Sequence, residues 1–178
     1  MTDQEETLVV IGTLVIVTQS IEHTLNTLLK LVIQDGTPLT YERLMQLDVL
    51  HRKKTLGFFV KEMKKRAAFE ASLDATLERF LENRNKLIHH FYEIPGNDLS
   101  TASDIALMNT FLVQLLKDLE IVSVFCSSLL YAWSEQTGIA KDIWEQHSTS
   151  ESQLFTERVK AMSTIIDDLI FKKNECKK

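Results

Sequence analysis

The segment Arg84-Asn85-Lys86-Leu87-Ile88-His89 holds three side chains that can do chemistry at a phosphate ester. The guanidinium of Arg84 can hold a phosphate, because its planar fork of N–H donors matches the phosphate oxygens. The imidazole of His89 can take up and release a proton near neutral pH. Asn85 adds a polar amide to the same helix. Together these residue types predict cleavage or transfer at a phosphate.

These side chains lie late in a predicted helix over residues 72–93, and apolar residues form one stripe along that helix. Arg84 falls in the middle of the stripe, where a leucine would be expected. Burying a bare guanidinium is costly, so Arg84 must be paired with a carboxylate, solvated in a cleft or facing a partner chain. Asn85 and His89 lie side by side on one flank of the stripe. His90 points to the other flank.

The whole chain is predicted to be helical. It has 178 residues, with only five glycines and two prolines to interrupt long helices. Besides the helix over 72–93, the apolar periodicity predicts helices over residues 5–34, 39–66, 101–137 and 150–171. Thr101 and Asp104 form a capping-box pattern at the start of the fourth helix. We therefore predict a single all-α domain over residues 1–178, an antiparallel bundle of four long helices plus a shorter fifth, with a frayed lysine-rich tail at 172–178.

Compartment is predicted from the cysteines and from the apolar run at residues 8–17. Two cysteines, Cys126 and Cys176, make no disulfide framework, which favours the reducing cytoplasm. Cys126 lies in an apolar helical stripe and is expected in the core. The run at 8–17 follows acidic residues and is shorter than the ~20 residues that span a bilayer. We interpret it as a deeply buried helix segment of a cytoplasmic protein with no membrane contact.

A second candidate surface is strongly basic. Between residues 51 and 66 a single acid, Glu62, stands among seven cationic side chains: Arg52, Lys53, Lys54, Lys61, Lys64, Lys65 and Arg66. Such a segment can follow an RNA backbone, although a solvated lysine-rich helix face is the commoner explanation. The formal net charge of −5 means that any nucleic-acid site is a local patch on an acidic protein.

Metal and cofactor chemistry finds no support in the sequence. Di-iron bundles supply two Glu-x-x-His pairs, and this chain has none. Asp48 and His51 have the same spacing but form only one such pair, with Asp in place of Glu. His89 and Glu93 are four residues apart and are also a single pair, so neither makes a metal site. No phosphate-binding glycine loop, zinc spacing or nucleophile motif occurs. We therefore predict no metal and no cofactor.

The motif Arg84-Asn85-x-x-x-His89, late in a helix of an all-α protein, resembles the HEPN superfamily. Many of its members are metal-independent ribonucleases that act as toxins or defence effectors. The resemblance implies a homodimer in which two motifs meet in one cleft, with RNA as substrate and with an antitoxin protein as a further partner. It implies that Arg84 holds the scissile phosphate, that Asn85 orients it or His89, and that His89 acts as general base or acid, giving 2′,3′-cyclic phosphate ends.

Two alternatives stay open. One HEPN subgroup has tyrosine two residues after its histidine; here Tyr92 stands at that distance from His90, which makes His90 a rival catalytic residue with Tyr92 beside it. The second alternative is a non-catalytic helical-bundle interaction or dimerisation module. If Arg84 is buried and fully paired with an acid, or if His89 faces solvent alone, the module hypothesis is favoured over the enzyme hypothesis.

Overall fold

The computed structural model describes residues 2–33, 36–66, 69–137, 157 and 159. Over these residues the chain forms an all-α helical bundle with no strand, as predicted. Its elements are α1 (Asp3–Leu31), α2 (Tyr41–His51), α3 (Leu56–Arg66), α4 (Ala71–His89), a 3₁₀ turn (Phe91–Glu93) and α5 (Ala102–Thr137). The predicted helix over 150–171 and the predicted frayed tail at 172–178 lie outside the described residues, apart from Glu157 and Val159, which are helical.

The longest helix, α5, begins where the sequence predicts. The hydroxyl of Thr101 accepts a hydrogen bond from the backbone N–H of Asp104 at 3.2 Å, and Asp104 accepts one from the Thr101 N–H at 3.0 Å. This reciprocal capping box holds the pKa of Asp104 below its usual value, because Thr101 donates to the carboxylate. The predicted stripe of α5 is confirmed by seven of its members, which are buried: Met108, Leu112, Leu115, Leu119, Val122, Cys126 and Leu129.

The predicted single helix over 39–66 is wrong, because the chain breaks after His51 and starts a new helix at Leu56. The backbone N–H of Lys54 bonds to the carbonyl of His51, and Thr55 supplies the first acceptor of the next helix. Three consecutive cations, residues 52–54, follow the end of α2, where positive charge is favourable. The break turns the chain so that His51 stacks edge-on against Phe58 and Phe59 of α3.

The helix that carries the candidate site ends four residues earlier than predicted. α4 stops at His89, and His90 leaves the helical region at φ −131° and ψ 39°. A 3₁₀ turn follows, and Gly96 at φ 79° lies in the loop between this turn and α5. A side chain at Gly96 would collide with the backbone of Asp104, so the loop and the start of α5 are packed tightly together.

The apolar start of α1 is buried on one side only, which corrects the prediction of a deeply buried segment. Leu14 is 1% exposed, whereas Leu8, Val9 and Ile16 are 50%, 56% and 67% exposed. A helix that is apolar all round presents apolar residues to both the core and the solvent when neighbours cover only one face. By length and composition α1 could also cross a membrane, with a mean hydropathy of 1.6 over an 18-residue window, and both the core helix of a soluble protein and a signal sequence pass the same test.

Two compact units divide the chain. The first unit comprises Met1–His23 and Glu70–Val122, and the second comprises Thr24–Phe69 and Ser123–Lys178. In the first unit the fully buried side chains include Leu14, Leu77, Phe80, Met108 and Leu112. In the second they include Leu28, Leu29, Leu56 and Met63. Arg84 and His89 belong to the first unit, and the basic segment belongs to the second.

His51 is a buried polar residue of the second unit, 3% exposed. Its Nδ1 atom lies 2.8 Å from Oδ1 of Asn26, and its ring packs against two phenylalanines. Burial lowers the pKa of His51 below 6.5, and four surrounding cations lower it further: Lys30, Arg66, Lys54 and Arg43. The imidazole is therefore neutral at physiological pH, and its role is to pack in the core of the second unit.

This environment predicts a loss of stability in mild acid. Because the pKa of His51 is lower in the folded chain than in the unfolded chain, the unfolded chain binds more protons below about pH 6.5. The free energy of unfolding should thus be retained above that pH and fall as the pH drops below it. Urea unfolding at about pH 7.5 and about pH 5.5 measures the difference. His51→Gln should reduce the difference and His90→Gln should not; an equal pH dependence in all three proteins would contradict the prediction.

Candidate functional site

Arg84 lies in the apolar stripe of α4, and of the three environments that the sequence left open for it the structure shows burial with a carboxylate partner. The residue is 8% exposed. Its Nη2 atom donates to Oε2 of Glu22 on α1 at 2.8 Å, and its Nη1 atom donates to Oδ1 of Asn85 at 3.2 Å. Its buried Nε–H has no hydrogen-bond partner among the described residues. The guanidinium is therefore paired but not fully satisfied, which is uncommon for a buried polar group.

Asn85 and His89 continue from Arg84 toward the end of the same helix. Asn85 is half-buried, and its carbonyl oxygen accepts from Arg84. His89 is exposed, and its imidazole makes no hydrogen bond, ion pair or ring contact with the described residues. The two residues are one turn apart on α4, so their side chains are neighbours on the helix surface. The structure thus brings Arg84 and Asn85 into contact and leaves His89 open to a ligand or a second chain.

His90 and Tyr92 lie beyond the last residue of α4. His90 is the C-cap of the helix, and Tyr92 belongs to the 3₁₀ turn. Nδ1 of His90 is 3.4 Å from Oε1 of Glu93, and the rings of His90 and Tyr92 meet edge-on at 6.5 Å. Both are exposed. Of the two histidines, His89 is the one that shares a helix with Arg84 and Asn85.

Glu22 is the functional side chain that sequence reasoning missed. The sequence left three possibilities for Arg84, namely a carboxylate partner, solvation in a cleft or contact with a partner chain, and it named no acid. A signal was present: beyond its first turn, α1 carries a single carboxylate, and that carboxylate is Glu22. A buried arginine recruits the nearest acid on a neighbouring helix, because an unpaired guanidinium is costly to bury.

A second ion pair fastens α4 within the first unit. The Nε atom of Arg79 donates to Oδ2 of Asp118 on α5 at 2.9 Å, and Nη2 of Arg79 donates to Oδ1 at 2.5 Å. Gln114 donates to the same carboxylate at 3.1 Å. Asp118 is fully buried, and its carboxylate raises the pKa of Arg79 by accepting these bonds. This bidentate contact fixes the helix that carries Arg84 against α5.

A groove of about 730 Å³ lies along the outer face of α5 in the first unit. Its lining includes Asn83 of α4, Pro95 and Lys117, but none of Arg84, Asn85 and His89. The candidate residues therefore lie outside this groove.

The basic segment of the second unit is partly committed to local contacts. Glu62 binds both Lys65 at 2.6 Å and Arg66 at 3.1 Å, and Arg66 also donates to the carbonyl of Ile33. Lys54 lies 5.0 Å from the ring centre of Phe58. Of the other cations, Arg52 lies 3.8 Å from Asp48, and Lys53 and Lys61 are exposed. Contact of this segment with RNA stays a prediction, carried by its exposed lysines rather than by Arg66.

Other chemistry is not assembled among the described residues. No group of three or more His, Cys, Asp and Glu side chains comes together there in a way that could hold a metal. Asp48 is bound to Lys30 at 2.7 Å, and His51 is bound to Asn26. Cys126 is buried, as predicted, and burial raises the pKa of its thiol to about 12, so it stays protonated and unreactive.

The fold and the site together define an all-α protein with an arginine–asparagine–histidine cluster at the end of one helix. Known proteins add nothing to this description: no family model, curated protein or solved structure matches the chain. The resemblance to the HEPN superfamily therefore depends on two features only: the motif residues Arg84, Asn85 and His89, and the helical fold.

Proposed function

We propose that this chain is a HEPN-like, metal-independent endoribonuclease whose site is completed by a second copy of the chain. The proposal includes RNA as the substrate class and a toxin or defence role under the control of an antitoxin protein. One observation carries it: a buried arginine, only partly paired, contacts the asparagine that neighbours an open histidine. These three groups supply positive charge, an orienting amide and a proton-transferring imidazole.

The arrangement supports cleavage by transfer of the phosphate to the ribose 2′-oxygen. His89 takes the proton of the 2′-hydroxyl as its oxygen attacks phosphorus. The new bond from phosphorus to the 2′-oxygen forms as the bond to the leaving 5′-oxygen breaks. His89 of the partner subunit, protonated beforehand, gives a proton to that oxygen. The products are a 2′,3′-cyclic phosphate and a 5′-hydroxyl.

Arg84 contributes charge to this step. Negative charge builds up on the phosphate oxygens in the transition state, and fixed positive charge nearby lowers its energy. A partly desolvated guanidinium has a stronger effect than one in bulk water, because its field is less screened. Asn85 lies between this charge and His89 along the helix, and its amide can donate to the same oxygens.

The test is RNA cleavage by the purified full-length chain in EDTA. We expect wild-type protein to cut single-stranded RNA into fragments with 2′,3′-cyclic phosphate ends, because neither a metal nor a cofactor takes part. An RNA of the same sequence with 2′-deoxy sugars is the matched control and should resist cleavage, since it lacks the attacking hydroxyl. Absence of cleavage on RNAs of varied sequence and structure, or equal cleavage of the 2′-deoxy substrate, would overturn the proposal.

The second candidate is a non-catalytic interaction or dimerisation module, and three observations favour it. Arg84 is buried against Glu22, which is what a structural ion pair requires, and His89 stands alone in the described chain. In addition, Leu8, Val9 and Ile16 expose an apolar face of α1, and exposed apolar faces commonly mark contact sites. A folded, dimeric wild-type chain that leaves every RNA intact would support this module.

A further inference from the structure

The carboxylate of Glu22 reaches the candidate site from a helix far away in sequence. It binds Nη2 of Arg84 at 2.8 Å, and the two side chains are 24% and 10% exposed. The pair is thus largely shielded from water, where a charge-assisted hydrogen bond is stronger than at the surface. Glu22 fixes one edge of the guanidinium.

Fixing the guanidinium also fixes the amide of Asn85. Nη1 of Arg84 lies 3.2 Å from the Asn85 side chain. Because a guanidinium has donors and no acceptor, Asn85 must present its carbonyl oxygen to Arg84. Its NH₂ group is then left to donate elsewhere, and no hydrogen bond to it is present among the described residues. The orientation of Asn85 therefore follows from the position of Arg84.

The contact with Glu22 leaves part of Arg84 unused. Its Nε–H is buried without a partner in the described chain. An arginine kept solely to close a structural ion pair is expected to satisfy its buried donors, because each unpaired one costs about 1–3 kcal/mol. Glu22 thus holds Arg84 in place without satisfying all of its buried donors, and the Nε–H itself is shielded from solvent.

We propose that Glu22 is a positioning residue of the ribonuclease site, acting through Arg84 to orient the NH₂ group of Asn85 toward the substrate phosphate or His89. This inference rests on the proposed ribonuclease function. Glu22 touches no reacting atom in it. Its negative charge also offsets part of the positive charge of Arg84, so its role is to order the site and not to attract RNA.

The expected kinetic signature separates ordering from binding. Glu22→Gln keeps a hydrogen-bonding side chain of the same size but removes the charge, so the contact to Arg84 weakens. We expect kcat to fall about tenfold, because the transition state loses an ordered donor, while KM stays unchanged or decreases. Glu22→Asp, which keeps the charge on a shorter stem, should restore part of kcat. A smaller amount of folded protein would also lower the apparent kcat at unchanged KM. Activity is therefore expressed per folded chain, so that a remaining decrease in kcat reports on the site itself.

The matched control is Glu82→Gln, which removes the carboxylate of an exposed ion pair with Lys86 on α4. It should leave kcat and KM at wild-type values. A charge-swapped protein, Glu22→Arg with Arg84→Glu, should regain thermal stability relative to either single change without regaining cleavage. If the swap restores cleavage, or if Glu22→Gln cleaves like wild type, the positioning role is wrong.

An NMR measurement decides the role of Glu22 without depending on activity. The side-chain amide signals of Asn85, assigned with Asn85→Asp, should shift and exchange faster with water in Glu22→Gln than in wild type. Glu82→Gln should leave them in place. Unchanged Asn85 signals in Glu22→Gln would overturn the inference. A wild-type chain that cleaves no RNA would instead overturn the proposed function, and the amide signals would still show whether Glu22 orients Asn85.

Discussion

Replacing His89 with alanine is expected to reduce RNA cleavage by about 10²- to 10⁴-fold, the usual contribution of a positioned general acid or base. His89 is exposed at the end of α4, and the described chain gives it no structural contact, so its removal should leave the fold intact. The measurement is the initial rate of RNA cleavage in EDTA. Circular dichroism and size-exclusion chromatography should show the same fold and the same oligomeric state as the wild type.

His90→Ala is the matched control, because it removes an adjacent, exposed imidazole that does not belong to α4. It should change the rate by less than about threefold, well below the effect of a catalytic imidazole. The opposite result, with loss of cleavage in His90→Ala and not in His89→Ala, would transfer the proton-transfer role to His90 and favour the pattern that includes Tyr92. Full activity in both variants would contradict acid–base catalysis by either histidine.

Replacing Arg79 with methionine is expected to lower the free energy of unfolding by about 3 kcal/mol. The change leaves the carboxylate of Asp118 buried with a single donor from Gln114. Removal of one partner of a buried ion pair typically costs 3–5 kcal/mol, and we take the lower end because the side chain of Arg79 is 45% exposed. Urea unfolding at neutral pH measures the loss.

Two further variants isolate the cause. Lys86→Met breaks the ion pair of Lys86 with Glu82 on the same helix, and because this pair is largely exposed, the loss of stability should be far smaller than for Arg79→Met. The double variant Arg79→Met with Asp118→Leu should recover most of the lost stability, because apolar residues often replace a buried pair without penalty. Equal costs for Arg79→Met and Lys86→Met would show that burial of Asp118 does not control the stability of the first unit.

Much of the fold could be predicted from the sequence because helices leave periodic traces. The three-and-four spacing of apolar residues predicted α1 and α5 to within a few residues. Thr101 and Asp104 marked the start of α5, since a capping box is a local contact within one turn. The break after His51 was missed because residues 51–55 contain neither glycine nor proline, although the apolar pattern is interrupted there between Leu50 and Leu56. Tertiary packing of His51 against two phenylalanines accompanies that break.

The sequence by itself determined the all-α class, the place of Arg84 in an apolar stripe and the need for its charge to be paired, solvated in a cleft or met by a partner chain. These follow from local periodicity and from the cost of burying a guanidinium. The tertiary structure decided which acid meets that charge, that Asn85 presents its carbonyl oxygen to Arg84, and that His89 stays on the helix while His90 leaves it. The pairing with Glu22 joins residues 62 positions apart, and such a contact depends on how helices pack, which no local pattern encodes.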